Sequence, residues 1–170
     1  MALNWLKNWL LDRANSNFAQ LTTHSDTRSV GVLLDHAEPE LQDSILRYFE
    51  KKGVPNDQVI LLFFFSQKPV EEPSCLHYHS KDIKWAGYAL NDHIRSFLSH
   101  DFNRLYYLCD GFDAHQQLIL KHCKAAFKTG IYQSGVEPFL DLTIDDHPGN
   151  ALAQIQVIDS WIDKKTSHGK

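Results

Sequence analysis

Glycine-rich phosphate loops are missing from this chain. None of its 8 glycines falls into a GxGxxG or GxxxxGK[ST] pattern. Val30-Gly-Val-Leu-Leu34, an apolar run of the kind that opens an α/β domain, leads into Asp35-His-Ala-Glu38 with no glycine to let a backbone approach a pyrophosphate. A GxSxG nucleophile elbow is also missing. Gln133-Ser-Gly135 pairs a serine with a glycine, but it lies between two strand candidates rather than in a strand-to-helix turn. Three common α/β enzyme classes thus lose their usual mark.

Cysteine is scarce too. Cys75, Cys109 and Cys123 are odd in number, so they cannot all pair within one chain, and no CxxC occurs. Cys109 and Cys123 read as small buried hydrophobes, and the expected location is the reducing cytoplasm. No apolar run approaches the roughly 20 residues that cross a bilayer. The N-terminus lacks a basic start and a small-residue cleavage site, so no secretory signal is expected. Charge of one sign is not in excess. With 17 Lys+Arg against 21 Asp+Glu, the net charge of -4 argues against a nucleic-acid binder.

What is present is apolar patterning. The chain of 170 residues is 43% hydrophobic, enough for one domain with a buried core. Residues 1–23 form one expected unit, an amphipathic helix with Leu6, Leu10, Ala14 and Phe18 at four-residue spacing and Trp5 and Trp9 one turn apart. Residues 24–170 form the other, a single α/β domain. Val30–Leu34 and Val59–Phe65 are continuous apolar runs with no face left for water, as in strands covered on both sides. Between them Pro39 fits the first turn of a helix carrying Leu41, Ile45, Leu46 and Phe49, and Gly53 caps it. This βαβ unit makes the two strands parallel.

Residues 66–87 carry Pro69, Pro73, Glu71 and Glu72, which predict an exposed excursion, and Cys75–Ser80 alternates as a short edge strand. Asn91 or Asp92 caps a helix with Ile94, Phe97 and Leu98. Leu105–Cys109 is a third central strand, Asp113 caps the next helix, and Ala126–Ile131 and Phe139–Ile144 are later strands. The link between those two is too short for a helical crossover. They are expected either antiparallel or joined by a loop that places them apart in the sheet. A last helix buries Ala151, Ile155, Ile158 and Ile162. The expected fold is a three-layer α/β/α domain with a mostly parallel, mixed sheet, flavodoxin-like or half-Rossmann, plus the N-terminal helix.

Ligands of open α/β sheets bind outside the carboxyl ends of the strands. The candidate rim of a pocket there is Asp35, Ser66, Asp110, Gly111, Gly130 and Asp145. Such acids serve general acid/base work, and they equally satisfy loose backbone N–H groups at strand ends. The run Cys75-Leu-His77-Tyr-His79 places a thiol and two imidazoles on one strand face. Each two-residue step of about 7 Å is too wide for one ion, so no metal site is assigned. No catalytic residue and no cofactor are assigned either.

The run Ser80-Lys-Asp-Ile-Lys-Trp-Ala-Gly87, with Phe102–Leu108, Lys124–Gly130 and Phe139–Ile144, resembles a family of short bacterial α/β proteins that is a domain of unknown function. The resemblance implies a small free-standing cytoplasmic protein and transfers no activity or ligand. From the residues, the expected function is a non-catalytic module that binds a protein or ligand. The alternative is a small transferase or hydrolase acting on a phosphorylated or nucleotide-like substrate at the carboxyl edge. Expected partners are another protein or a second copy through the N-terminal helix, with no nucleic acid and no membrane span.

Overall fold

A continuous apolar strand needs cover on both faces, and three strands in the middle of this sheet have it. In the computed structural model, residues 29–35, 39–84 and 90–167 are described; the expected N-terminal helix lies outside them. The strands are β1 (Val30–Asp35), β2 (Val59–Phe65), β3 (Leu76–His79), β4 (Asp101–Leu108), β5 (Lys124–Ile131) and β6 (Leu142–Ile144). The helices are α1 (Pro39–Lys51), α2 (Asp92–Leu98), α3 (Ala114–His122) and α4 (Ala151–Ser167).

Alternate residues of one run serve opposite layers. Val32, Leu34, Leu61, Phe63, Tyr106 and Leu108 pack with Ile45 and Phe49 of α1 and Ile155 and Ile158 of α4. Leu33, Leu62, Leu105 and Tyr107 pack with Ile94 and Phe97 of α2 and Leu118 and Ile119 of α3. At roughly 1.5–3 kcal/mol per fully buried large side chain, these two cores are what hold the three layers together. Gly31 belongs to the α2/α3 side. A methyl there would meet Leu105 Cδ1 at 2.9 Å and Phe102 at 3.0 Å, so the missing side chain is what lets those two residues close over β1.

The six strands lie in the order β3-β2-β1-β4-β5-β6. All five pairings are parallel. This is the doubly wound order of two mononucleotide-binding halves, and it reverses between β1 and β4. The expected α/β/α layering is present, but the expected mixed sheet is a wholly parallel one. β5 and β6 are neighbours and parallel. β6 has only three residues, about 10 Å of strand, so the link of residues 132–141, bent by a 3-10 turn at Glu137–Phe139, suffices to run back along it. Pro138 and that turn remove residues 139–141 from the strand expected at 139–144. There Asp141 instead bonds Lys128 through backbone N–H to carbonyl (2.7 Å) and through Oδ2 from the Lys128 N–H (2.7 Å). β4 begins four residues before the expected Leu105, because Asp101, Phe102 and Arg104 already pair with β5 and Asp101 meets Lys124 at 3.8 Å.

One buried carboxylate ties three elements on the α1/α4 side. Asp159, 2% exposed, accepts from Tyr106 Oη at 2.5 Å, Tyr48 Oη at 2.7 Å and Arg104 Nη1 at 3.0 Å, with Lys52 Nζ at 3.2 Å. Burial and the adjoining carboxylate push the Tyr48 phenol up to about 12 and raise Tyr106 further.

Candidate functional site

The sequence-predicted rim is partly assembled. Asp35 ends β1 and Asp110 follows β4, and the Asp110 N–H donates to Asp35 Oδ2 at 2.6 Å across the reversal point. Beside them Tyr107 Oη donates to the Gly111 carbonyl, and Gln133 Nε2 to the Cys109 carbonyl. Asp35, Asp110 and Gly111 are thus brought together by bonds that tie strand ends to their loops. Asp145 is exposed and meets His147 Nε2 at 3.9 Å. His147 and Asp110 share a small opening of about 60 Å³ with Gln133 and Gln154. Ser66 is exposed beyond β2. Gly130 fills a packing role: any side chain there would collide with the Tyr107 carbonyl oxygen of β4.

Behind this edge sits a buried aromatic group. His115, 8% exposed, stacks on Phe64 with centroids 4.6 Å apart, and the Tyr78 hydroxyl lies 3.4 Å from its Nδ1. Burial lowers the His115 pKa against the pull of Asp113, so the ring stays neutral. Burial, with the charge of Asp35, holds the Cys109 thiol well above its ordinary range, and burial pushes Cys123 up to about 12. Neither thiol has the electropositive, exposed setting of a nucleophile.

The larger cavity opens elsewhere, at the outer edge of β3. It measures about 580 Å³ and lies under the 66–75 excursion, with Lys68 and Glu72 on the loop side, His77 and His79 from β3, and Asp82, Asn91 and His93 opposite. Local rules place each of these groups. Alternation along β3 turns His77 and His79 to one side, while Tyr78 between them is fully buried. Asn91 is the N-cap of α2, its Oδ1 accepting from the Ile94 N–H at 2.8 Å, and this fixes where the first helical turn presents His93. The 3-10 turn after β3 brings Asp82 back, so that Oδ2 accepts from the His79 N–H (2.9 Å) and from Asn91 Nδ2 (3.1 Å).

The imidazoles are held by backbone. His77 Nδ1 is 2.9 Å from the Cys75 carbonyl oxygen. His79 Nδ1 accepts from the Lys81 N–H at 3.2 Å, and its Nε2 faces Asp82 Oδ1 at 3.3 Å. His93 Nδ1 lies 3.2 Å from the His77 nitrogen and 3.0 Å from the His77 oxygen, and the rings of His77 and His93 meet edge to face at 4.5 Å. Cys75 falls outside β3 and contributes its carbonyl rather than its thiol. Among the described residues, no group of three or more His, Cys, Asp or Glu has metal-holding geometry. What the arrangement offers is a roomy, polar, preformed recess with oriented ring nitrogens, in the size range of small-molecule sites.

Sequence reasoning weighed His77 and His79 only as metal ligands and Asn91 only as a helix cap, and did not single out His93 or Asp82. The signal was present in the helix cap at Asn91. A residue that caps a helix also fixes where its neighbours in the first turn point.

Residues 3–158 match a family of unknown function (DUF6913), and the chain belongs to that family. No curated protein and no solved structure matches it.

Proposed function

We propose that this member of the family is a non-catalytic binding module that takes a small polar ligand in the recess at the β3 edge. The observation that carries the reading is the cavity of about 580 Å³ with three imidazoles on its wall, each pinned through Nδ1 to the backbone. Pinned rings lose little freedom when a ligand arrives, which is what a preorganised site gains. The strand ends, by contrast, spend their polar groups on one another. No helix among the described residues is long and apolar enough to cross a membrane. The three unpaired thiols suit the reducing cytoplasm, where we place the protein.

The test is a thermal-shift screen of the full chain and of Glu72→Trp, which plugs the recess from its loop side, against nucleotides, sugar phosphates, amino acids, amides and divalent metals. A ligand that raises Tm in the parent and not in Glu72→Trp supports the reading, since stabilisation follows RT ln(1 + [L]/Kd). A screen with no shift, or with equal shifts in both proteins, overturns it.

A second reading rests on the strand order. Its reversal between β1 and β4 is where doubly wound sheets bind ligands, and Asp35 and Asp110 adjoin there. That favours a small hydrolase or transferase acting on a phosphorylated or nucleotide-like substrate. Phosphoester turnover abolished by Asp35→Asn and indifferent to Glu72→Trp would establish this reading over the first.

A further inference from the structure

The two imidazoles that meet edge to face on the cavity wall are not equivalent, and backbone accounting says how they differ. A carbonyl oxygen only accepts, so the bond between His77 Nδ1 and the Cys75 carbonyl at 2.9 Å puts the proton on Nδ1. His77 Nε2 is then a bare lone pair. The His93 ring has a choice, because its Nδ1 lies near both the N–H and the carbonyl of His77. The His77 carbonyl already has the Asn91 amide at 3.3 Å, whereas the His77 N–H has His93 Nδ1 as its partner at 3.2 Å. Strand N–H groups are rarely left unmet, so His93 Nδ1 accepts and the ring carries its proton on Nε2.

From this we propose that His77 and His93 form a paired reader, an acceptor beside a donor, for the planar edge of an amide. This deepens the binding-module reading and rests on it. His77 Nε2 takes an N–H from the ligand while His93 Nε2–H gives to the ligand's carbonyl or ring nitrogen. With rings 4.5 Å apart, the two groups suit a primary carboxamide or the amide-like edge of a nucleobase. A carboxylate of the same shape offers no proton to His77 Nε2, and the site rejects it for leaving that pair unmet.

Calorimetric titration of the full chain tests this with four probes: nicotinamide and cytidine as the two sources of such an edge, nicotinate as the carboxylate mimic, and Zn²⁺ alone. The expected result is binding of one or both amide-edge probes, at least about tenfold tighter than nicotinate. His77→Phe and His93→Phe, which keep ring size, each abolish it, with circular dichroism confirming the fold. Which probe binds tells a free carboxamide from a base. Equal binding of nicotinamide and nicotinate overturns the proposal. So does Zn²⁺ binding lost in both variants, which would need bare Nε2 on both rings. If a phosphorylated ligand binds and Glu72→Trp blocks it while no amide probe binds, the paired reader fails and the binding module stands. If nothing binds, both fail.

Discussion

Two clusters of polar side chains sit in this domain, and they are built to opposite ends. Around Asp159, two phenols, a guanidinium and an ammonium converge on one carboxylate that is 2% exposed, and both oxygens are engaged. The group joins α1, β4 and α4 and is closed. Around His77 and His93 the rings are engaged on one edge: each Nδ1 is spent on the backbone, and a recess of about 580 Å³ lies against them. Both clusters are ordered by the same rule, that buried polar groups find partners. They differ in whether that rule is satisfied within the chain. A saturated cluster holds a fold together, and a half-saturated one beside a cavity is where the proposed ligand would complete the count.

The contrast breaks most visibly at Asp159. Asp159→Ala leaves Arg104 and two tyrosine hydroxyls without their acceptor, and the expected loss is about 3–5 kcal/mol in urea unfolding. A loss below about 1 kcal/mol would show that the saturated cluster is not a fastening. Next comes the packing of β5 on β4: Gly130→Ala forces β5 against the Tyr107 carbonyl and should cost about 1–3 kcal/mol by the same measurement. Asn91→Ala should cost about 1 kcal/mol as a lost cap, and it should also loosen His93, visible as a change in that imidazole's NMR signals. His79→Ala, on the half-saturated side, is expected to change stability by less than about 1 kcal/mol, since its contact with Asp82 is partly exposed.

Acid acts at a third place, the C-terminal end of α3. Burial, with Lys121 and Lys128 nearby, holds His122 down at about 4 from an ordinary 6.5. The folded protein therefore binds this proton less readily than the unfolded chain. Stability is complete above about pH 6.5 and falls as pH drops toward 4, where the loss levels off. His122→Phe should flatten that segment of a stability profile. An unchanged slope would place the acid sensitivity elsewhere.

Much of this fold was legible because burial on both faces leaves a plain record. Val30–Leu34 and Val59–Phe65 have no polar residue to spare, and α1 is framed by Pro39 and Gly53, the latter at φ 81°. The sheet's outer strands were harder. β3 and β6 are short, and Phe139 belongs to a turn although it continues an alternating pattern. The site was legible only in part, because His77 and His79 belong to one strand while Asp82, Asn91 and His93 arrive from a turn and a helix cap. Spacing along the chain cannot report a juxtaposition made by the return of a loop. At the carboxyl edge the reading located Asp35 and Asp110 correctly in the sequence of strands, but not that one would hold the backbone of the other.

The outward edge of β3 has a bearing on how the molecule behaves in a crowd. An exposed strand edge is a template on which a second chain can add, the first step of edge-to-edge aggregation. Here the N–H of His77 is given to His93 and the N–H of His79 to Asp82, so two successive rungs of that ladder are occupied by the protein's own side chains. The strand is only four residues long, which leaves an incoming chain little else to grip. The residues that shape the recess therefore also terminate the sheet, and replacing His93 and Asp82 together would expose a sticky border as well as strip one wall of the recess.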